Sequence, residues 1–366
     1  MQQTRPIKKK YINADNGDFT KLMNAIKTND INKFKKLIKL GADINSLNKN
    51  QKTLISKILS PTMIKNKNNH DFFDILIKNN VSLKRIGNEQ NLLSLAMRIH
   101  HIDPHYFHKL LKNNININDC GVYMERNKQI IFDPPIFEAI RRSNPYCINM
   151  LLLKEELDIE IENKHGEVLL NFLIKNYSIN KNQENLPVIF KKLINDGYDP
   201  NARGHLGEQT LHCLAEYYFQ TDLFEFLFNS NNYIDINSKT MFGDTALKIA
   251  AKHGNINAVK FLIEKKADLN IPSLSGKTAI LEAATGRNNL NIFKILLKNN
   301  ADLKITDNNQ NNILHYITKH KKCINKIPYN YYINKISNLH PEFLYMKNKY
   351  NDTPLQIMKR KENTII

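Results

Sequence analysis

The sequence predicts an all-α solenoid of stacked antiparallel helix pairs, joined by β-hairpin-like loops. Three observations carry this. A unit of 33 residues recurs along the chain. Each unit repeats two apolar stripes at helical spacing. Every spacing that departs from 33 departs upward, as it must if loops are inserted into a fixed unit.

The pattern is plainest at 241–273, MFGDTALKIAAKHGNINAVKFLIEKKADLNIPS, and 274–306, LSGKTAILEAATGRNNLNIFKILLKNNADLKIT. The two align without a gap. Both read G-x-T-A-[LI]-x-x-A-A, then a short polar break, then a second apolar stripe, then A-D-L. This resembles the ankyrin repeat, whose unit is about 33 residues with a T-P-L-H-x-A signature. With the signature Thr as a ruler, ten copies fall at Thr20, Thr53, Asn91, Pro134, Val168, Gln209, Thr245, Thr278, Asn312 and Thr353. The spacings are 33, 38, 43, 34, 41, 36, 33, 34 and 41. The signature letters are sparse: His stays only at His212 and His315, and Thr-Pro together only at Thr353-Pro354.

Each element then has a reason. The first helix places Leu or Ile two residues after the ruler in all ten copies, from Leu22 and Ile55 to Leu314 and Leu355. Small residues such as Ala25, Ala96, Ala139, Ala250 and Ala283 let neighbouring first helices approach closely. A tight break follows, as at Lys252-His253-Gly254-Asn255. The second helix carries pairs such as Leu76-Ile77 and Leu296-Leu297, with Phe34, Phe73, Phe107, Ile148, Phe190, Val259 or Phe293 three positions earlier. Gly41, Asn80, Asn114 and Gly197 end second helices and suit a left-handed cap. One such unit cannot bury its stripe alone, whereas stacked neighbours can. The expected organisation is a loose segment at 1–14 and an array over 15–366. Its approximate repeats are 15–47, 48–86, 87–119, 131–162, 163–203, 204–239, 240–272, 273–306 and 307–347, with a terminal cap at 348–366. In the cap, Leu355 and Met358 are expected to cover the preceding repeat.

Composition narrows the function. Of the 366 residues, 42% are hydrophobic and 24% charged, which excludes a disordered chain. Four scattered cysteines with no CxxC exclude a disulfide scaffold and point to a reducing compartment. No apolar run of about 20 residues exists, so no transmembrane helix is expected. The basic start lacks a signal-peptide core. The expected location is the cytoplasm, with export by a route that reads no such signal left open. The net charge of +18 has two readings. Lysine filling solvated surface by default is preferred. Attraction to nucleic acid or anionic membrane is the alternative, weakened because Arg is scarce where bidentate phosphate reading would want it.

After tiling, insertions of 0, 5, 10, 1, 8, 3, 0, 1 and 8 residues remain, too short for a catalytic domain. No nucleotide-loop, nucleophile-elbow or zincin motif occurs. Neither an enzyme, a cofactor nor a metal is expected. His100, His101, His105 and His108 read as surface histidines around an interhelix break, with Asp103 as N-cap and Pro104 in the first turn. His315, His320 and Cys323 read the same way. Cys213, beside His212, reads as an ordinary first-helix residue, and the resemblance implies that His212 bonds backbone within its repeat.

The insertions near 61–71 and 176–186 read as polar loops. The one at 120–135 reads as a β-hairpin finger: Val122–Glu125 and Gln129–Phe132 flank Arg126-Asn127-Lys128. Its Tyr123, Met124, Ile131 and Phe132 are candidate partner contacts. The resemblance further implies binding through hairpin tips and the concave face of the first helices. By register, tip candidates are Arg203, His205, Leu206, Met241, Phe242, Ser273 and Leu274. First-helix candidates are Lys248, Lys252, Glu282 and Arg287. The expected function is a monomeric, non-enzymatic scaffold for an as yet unidentified protein partner. If the source is an intracellular microbe or virus, that partner would be a host protein.

Overall fold

The computed structural model describes residues 17–50, 52–60, 63, 69–84, 91–98, 103–119, 122–125, 128–179, 185–285, 289–319 and 327–362. The chain divides into two compact units, Met1–Lys164 and His165–Ile366.

The first unit contains four helix pairs among its described residues. They are α1 (Asp18–Lys27) with α2 (Ile31–Lys39), α3 (Leu54–Ile58) with α4 (Asn69–Lys78), α5 (Leu92–Met97) with α6 (His105–Lys112), and α7 (Pro135–Arg141) with α8 (Pro145–Leu152). First helices pack on first helices, α1 on α3 and α5 on α7; second helices pack on second helices, α2 on α4 and α4 on α6. Short polar side chains start the helices. Asp30 Oδ1 accepts Lys33 N–H at 2.8 Å, Thr53 Oγ1 accepts Ser56 N–H at 3.3 Å, and Asn144 Oδ1 accepts Cys147 N–H at 3.0 Å. Left-handed residues stop them, at Gly41 (φ 87°), Asn80 (57°) and Asn114 (51°). The core holds both predicted stripes: Ile55, Leu93, Phe34, Phe73 and Phe107 are fully buried. Each such side chain contributes roughly 1.5–3 kcal/mol of transfer free energy.

The second unit continues the arrangement with α9 (Leu169–Ile179), α10 (Leu186–Asn195), α11 (Thr210–Tyr217), α12 (Asp222–Asn229), α13 (Ala246–His253), α14 (Ile256–Glu264), α15 (Ala279–Thr285), α16 (Leu290–Lys298), α17 (Ile313–Lys319), α18 (Ile327–Leu339), a 3-10 turn at Pro341–Leu344, and α19 (Pro354–Glu362). Helix α13 lies between α11 and α15, and α17 packs on both α15 and α19. Ala250 and Ala283 are fully buried where these first helices meet. On α19, Leu355 and Met358 are only half-buried.

Three expectations need correction. Residues 69–71 belong to α4 rather than to a loop, because Phe72 and Phe73 bury completely and carry the helix start back to Asn69. Residues 176–179 belong to α9, whose last turn inserts Tyr177 into the core. The hairpin forms one residue out of the expected register. Strand β1 (Val122–Glu125) pairs with β2 (Lys128–Ile131), and Glu125 lies opposite Lys128. Phe132 therefore falls past the strand, half-exposed. Residues 1–14, His100, His101, the Arg126-Asn127 tip, Arg287, His320 and Cys323 lie outside the described residues. Among the described residues no helix is long and apolar enough to cross a membrane.

Candidate partner-binding surface

Sequence chemistry at the loops of the second unit builds a row of fingers. In each tip a backbone bond closes the turn, such as Thr240 N–H to Asp244 O at 3.0 Å and Ser273 N–H to Lys277 O at 3.0 Å. Glycine turns the chain back through positive φ at Gly207, Gly243 and Gly276. All three have a second reason to lack a side chain: a Cβ on Gly207 would stand 2.9 Å from Met241 N. A Cβ on Gly243 would stand 2.8 Å from Leu274 N, and one on Gly276 would stand 2.6 Å from Asn308 N.

That close approach is a ladder. His205 N–H donates to Gly166 O at 3.0 Å, and Met241 N–H to Leu206 O at 2.9 Å. Leu274 N–H donates to Phe242 O at 2.9 Å, Asn308 N–H to Ser275 O at 3.0 Å, and Lys349 N–H to Asn309 O at 2.9 Å. Arg203 adds a side-chain rung, with Nη1 donating to Gly207 O and Lys239 O, each at 2.9 Å. The tip side chains stand clear of this bonding. Met241 is 56% exposed, Phe242 53% and Leu274 71%. His205 and Leu206 are also exposed, whereas Ser273 is buried.

Behind the tips a groove of about 250 Å³ runs along the first helices, with Leu206, Phe242, Ile249 and Tyr217 as apolar wall and charged groups between them. Its charges are mostly paired: Glu167 with Lys175 at 2.9 Å, Glu216 with His253 at 3.5 Å, and Asp244 with Lys248 at 2.6 Å. Lys252 is exposed along the groove, as its register position suggests. Lys248 and Glu282 are not presented in this way. Both are buried and face each other at 3.8 Å, and Lys277 holds Glu282 from the other side at 3.5 Å. They order the first-helix layer.

Two groove residues with chemical potential have structural duties. His212 is buried; Gln209 N–H donates to its Nδ1 at 3.1 Å, and its Nε2 faces Ser238 O at 3.0 Å. Burial holds it below the ordinary imidazole range, so it is neutral, with the proton assigned to Nε2. His315 repeats this with Asn312 N–H and Asp352 O. The Cys213 thiol is pushed well up, by burial first and by Glu208 and Glu216 second, so it stays protonated at neutral pH.

Sequence reasoning missed carboxylates that the fold brings to the other histidine group. His105 stacks on His70 with centroids 4.7 Å apart and meets Asp74 at 2.8 Å, while His70 contacts Asp103. The only sequence signal was Asp103; the helix starts one residue later than expected, with Pro104 at the N-cap position, and Asp103 Oδ1 accepts His105 N–H at 2.9 Å from just ahead of it. Among the described residues no three His, Cys, Asp or Glu side chains form a group that could hold a metal ion. Tyr123, Met124 and Ile131 sit on the hairpin strands, away from the finger row in sequence.

Part of this chain is similar to known proteins. A three-copy ankyrin-repeat family model matches residues 180–273, and a single ankyrin-repeat model matches 275–308. The fowlpox virus (strain NVSL) ankyrin repeat protein FPV230 is 28% identical over 125 residues, covering 26% of this chain. That match spans 66% of the relative, just under two thirds of its length. Among solved structures, the ankyrin repeat domain of Bcl-3, a member of the IkappaB family, shares 20% identity at a TM-score of 0.49, covering 64% of this chain and 98% of that one. The ankyrin repeat protein EF0377 shares 24% identity at a TM-score of 0.43, covering 50% and 88%.

Proposed function

We propose that the chain is an ankyrin-repeat protein and a non-enzymatic scaffold that holds a protein partner on its finger tips and the adjoining groove. Ankyrin repeats generally serve protein–protein interaction. One observation carries the reading here. Leu206, Met241, Phe242 and Leu274 form an exposed apolar row on a backbone whose own hydrogen bonds are already made. Such side chains have no structural duty and a high cost of exposure, the usual mark of a contact surface. We also read 15–366 as one tandem array of ten units, acting in the cytoplasm. The lysine excess supports a competing reading, binding to a polyanion.

Affinity capture with quantitative mass spectrometry tests the scaffold reading. Phe242→Ala and Leu274→Ala are expected to lower recovery of the specific partner at least about thirtyfold, the scale of a 2 kcal/mol hot spot. Deletion of 122–131 serves as a separate arm for the hairpin. Unchanged recovery from both tip variants, with unchanged melting, would show that the tips are not the contact. A linear fall of log affinity with log salt, with a slope of several units, would favour the polyanion reading.

A further inference from the structure

Arginine is scarce in this chain, nine residues against 44 lysines. Three of the nine meet on the first-helix face of the first unit. Arg98 follows α5, Arg141 ends α7, and Arg142 comes next. They converge on Glu138, which is buried. Arg141 Nη1 donates to Glu138 Oε2 at 2.7 Å, and Arg142 Nε donates to Glu138 Oε1 at 2.7 Å. Arg98 Nε stands 3.7 Å from the same Oε1. The other fork of Arg141 reaches Asp133, whose Oδ1 accepts Lys164 N–H at 3.0 Å. A cleft of about 430 Å³ opens on the group, lined by Met97, Glu138, Arg141, Arg142 and Asn144.

The repeat register supplies an internal control. Glu282 occupies the same place in its copy, four residues after the ruler, and is also buried. Two lysines neutralise it, Lys248 and Lys277. If Glu138 needed only charge, lysine would serve there too, as this lysine-rich chain does elsewhere. What arginine adds is a planar fork that grips several oxygens at once.

The geometry leaves the forks available. Arg98 and Arg142 approach Glu138 through Nε, so their Nη pairs remain for a ligand. Their side chains are 40% and 37% exposed, open to solvent yet anchored at one end. Anchoring on a buried carboxylate lowers the ordering cost of binding. We propose that Arg98 and Arg142, held beside Glu138 with Arg141 bracing that carboxylate, form an oxyanion site for a phosphoryl group carried on a partner polypeptide. A compact dianion suits cations gathered at one cleft. A nucleic-acid strand, with one charge about every 3.4 Å, rewards cations spaced along a track instead. The site uses none of the finger-tip residues, so it stands or falls separately from them.

The test uses the full chain with 15N-labelled arginine, whose nine Nε–H signals are assigned by single substitutions. Inorganic phosphate at constant ionic strength should move the Arg98 and Arg142 signals saturably, with a dissociation constant on the order of millimolar, near −4 kcal/mol. Acetate should bind about tenfold more weakly. A phosphoserine peptide should move the same signals and its unphosphorylated form should not. The R98K/R142K variant keeps the charge and loses the forks; it should lose at least about tenfold in phosphate affinity, while Phe242→Ala keeps it. Linear shifts shared by all nine arginines, or full binding by R98K/R142K, would overturn the site. Equal binding of acetate would overturn the phosphoryl assignment, and a silent phosphoserine peptide would overturn the polypeptide source. Tighter binding of a DNA oligonucleotide, lost in R98K/R142K, would reassign the site to nucleic acid.

Discussion

Residues 241–308 and residues 69–119 look unlike in sequence and are built alike. The first stretch keeps the family signature; the second has almost none of it. Yet each structural duty is filled in both. Thr245 caps α13 by accepting Lys248 N–H at 3.3 Å, and Asn91 caps α5 by accepting Leu93 N–H at 2.8 Å. Asn255 ties its helix to the preceding first helix through Ala215 O and Tyr218 O, and Asn69 ties α4 to Ile58 O. Second helices end on Lys266 and Asn300 in one stretch and on Asn80 and Asn114 in the other, all with positive φ. The difference teaches that the repeat is defined by bonding duties and burial, with several residue types able to discharge each duty.

The largest test of that equivalence is core truncation. Phe73 and Phe293 occupy the same stripe position and are buried alike. Phe73→Ala and Phe293→Ala should each cost about 3–5 kcal/mol. Amide exchange near each site is the suitable measure, because repeat arrays need not unfold in one step. A cost under about 1 kcal/mol at Phe73 would break the comparison.

A smaller effect sharpens it. Asn255→Ala removes a cap to Ala258 N–H and strands two carbonyls, so about 2–4 kcal/mol is expected. Asn69→Ala strands one carbonyl, so about 1–2 kcal/mol is expected. Urea titration of each variant, followed by local exchange, reads both. Equal losses would show that the count of bonds does not set the difference.

Much of this was legible from the letters. The stripe positions Leu22, Ile55, Leu93 and Leu170 required only periodicity, since a packed helix pair cannot form without them. The long-range duties of the asparagines were not legible. Asn69, Asn255, Asn289 and Asn312 each donate a side-chain bond to a carbonyl more than ten residues away. No local pattern reports a partner at that distance. The same holds for Lys248 and Glu282, whose positions face the groove by register but whose charges are taken by Asp244 and Lys277 as well as by each other. The exposed row at Met241, Phe242 and Leu274 was visible because turn chemistry is local.

The smallest predicted effect is a pH dependence confined to one unit. His212 and His315 sit three residues after the ruler, where copies 2, 3 and 4 carry Ser56, Ser94 and Phe137. Burial lowers both imidazoles from the usual 6.5. The unfolded chain then binds more protons, so their contribution is intact above about 6.5 and declines as pH falls toward the depressed folded values. Exchange protection in residues 204–353 should weaken between pH 7.5 and 5, and a His212→Gln/His315→Gln variant should show a flatter profile. A slope unchanged by those substitutions would assign it to other groups.

The rungs that join one finger to the next run from main chain to main chain. The spacing of the tips therefore depends little on which side chains they bear, apart from the glycines that let the strands come close and the side-chain rungs of Arg203 and Asn308. A lineage could exchange Met241, Phe242 or Leu274 for almost anything and keep the rail they ride on. Selection for a new target would then find its raw material where the architecture makes no demands.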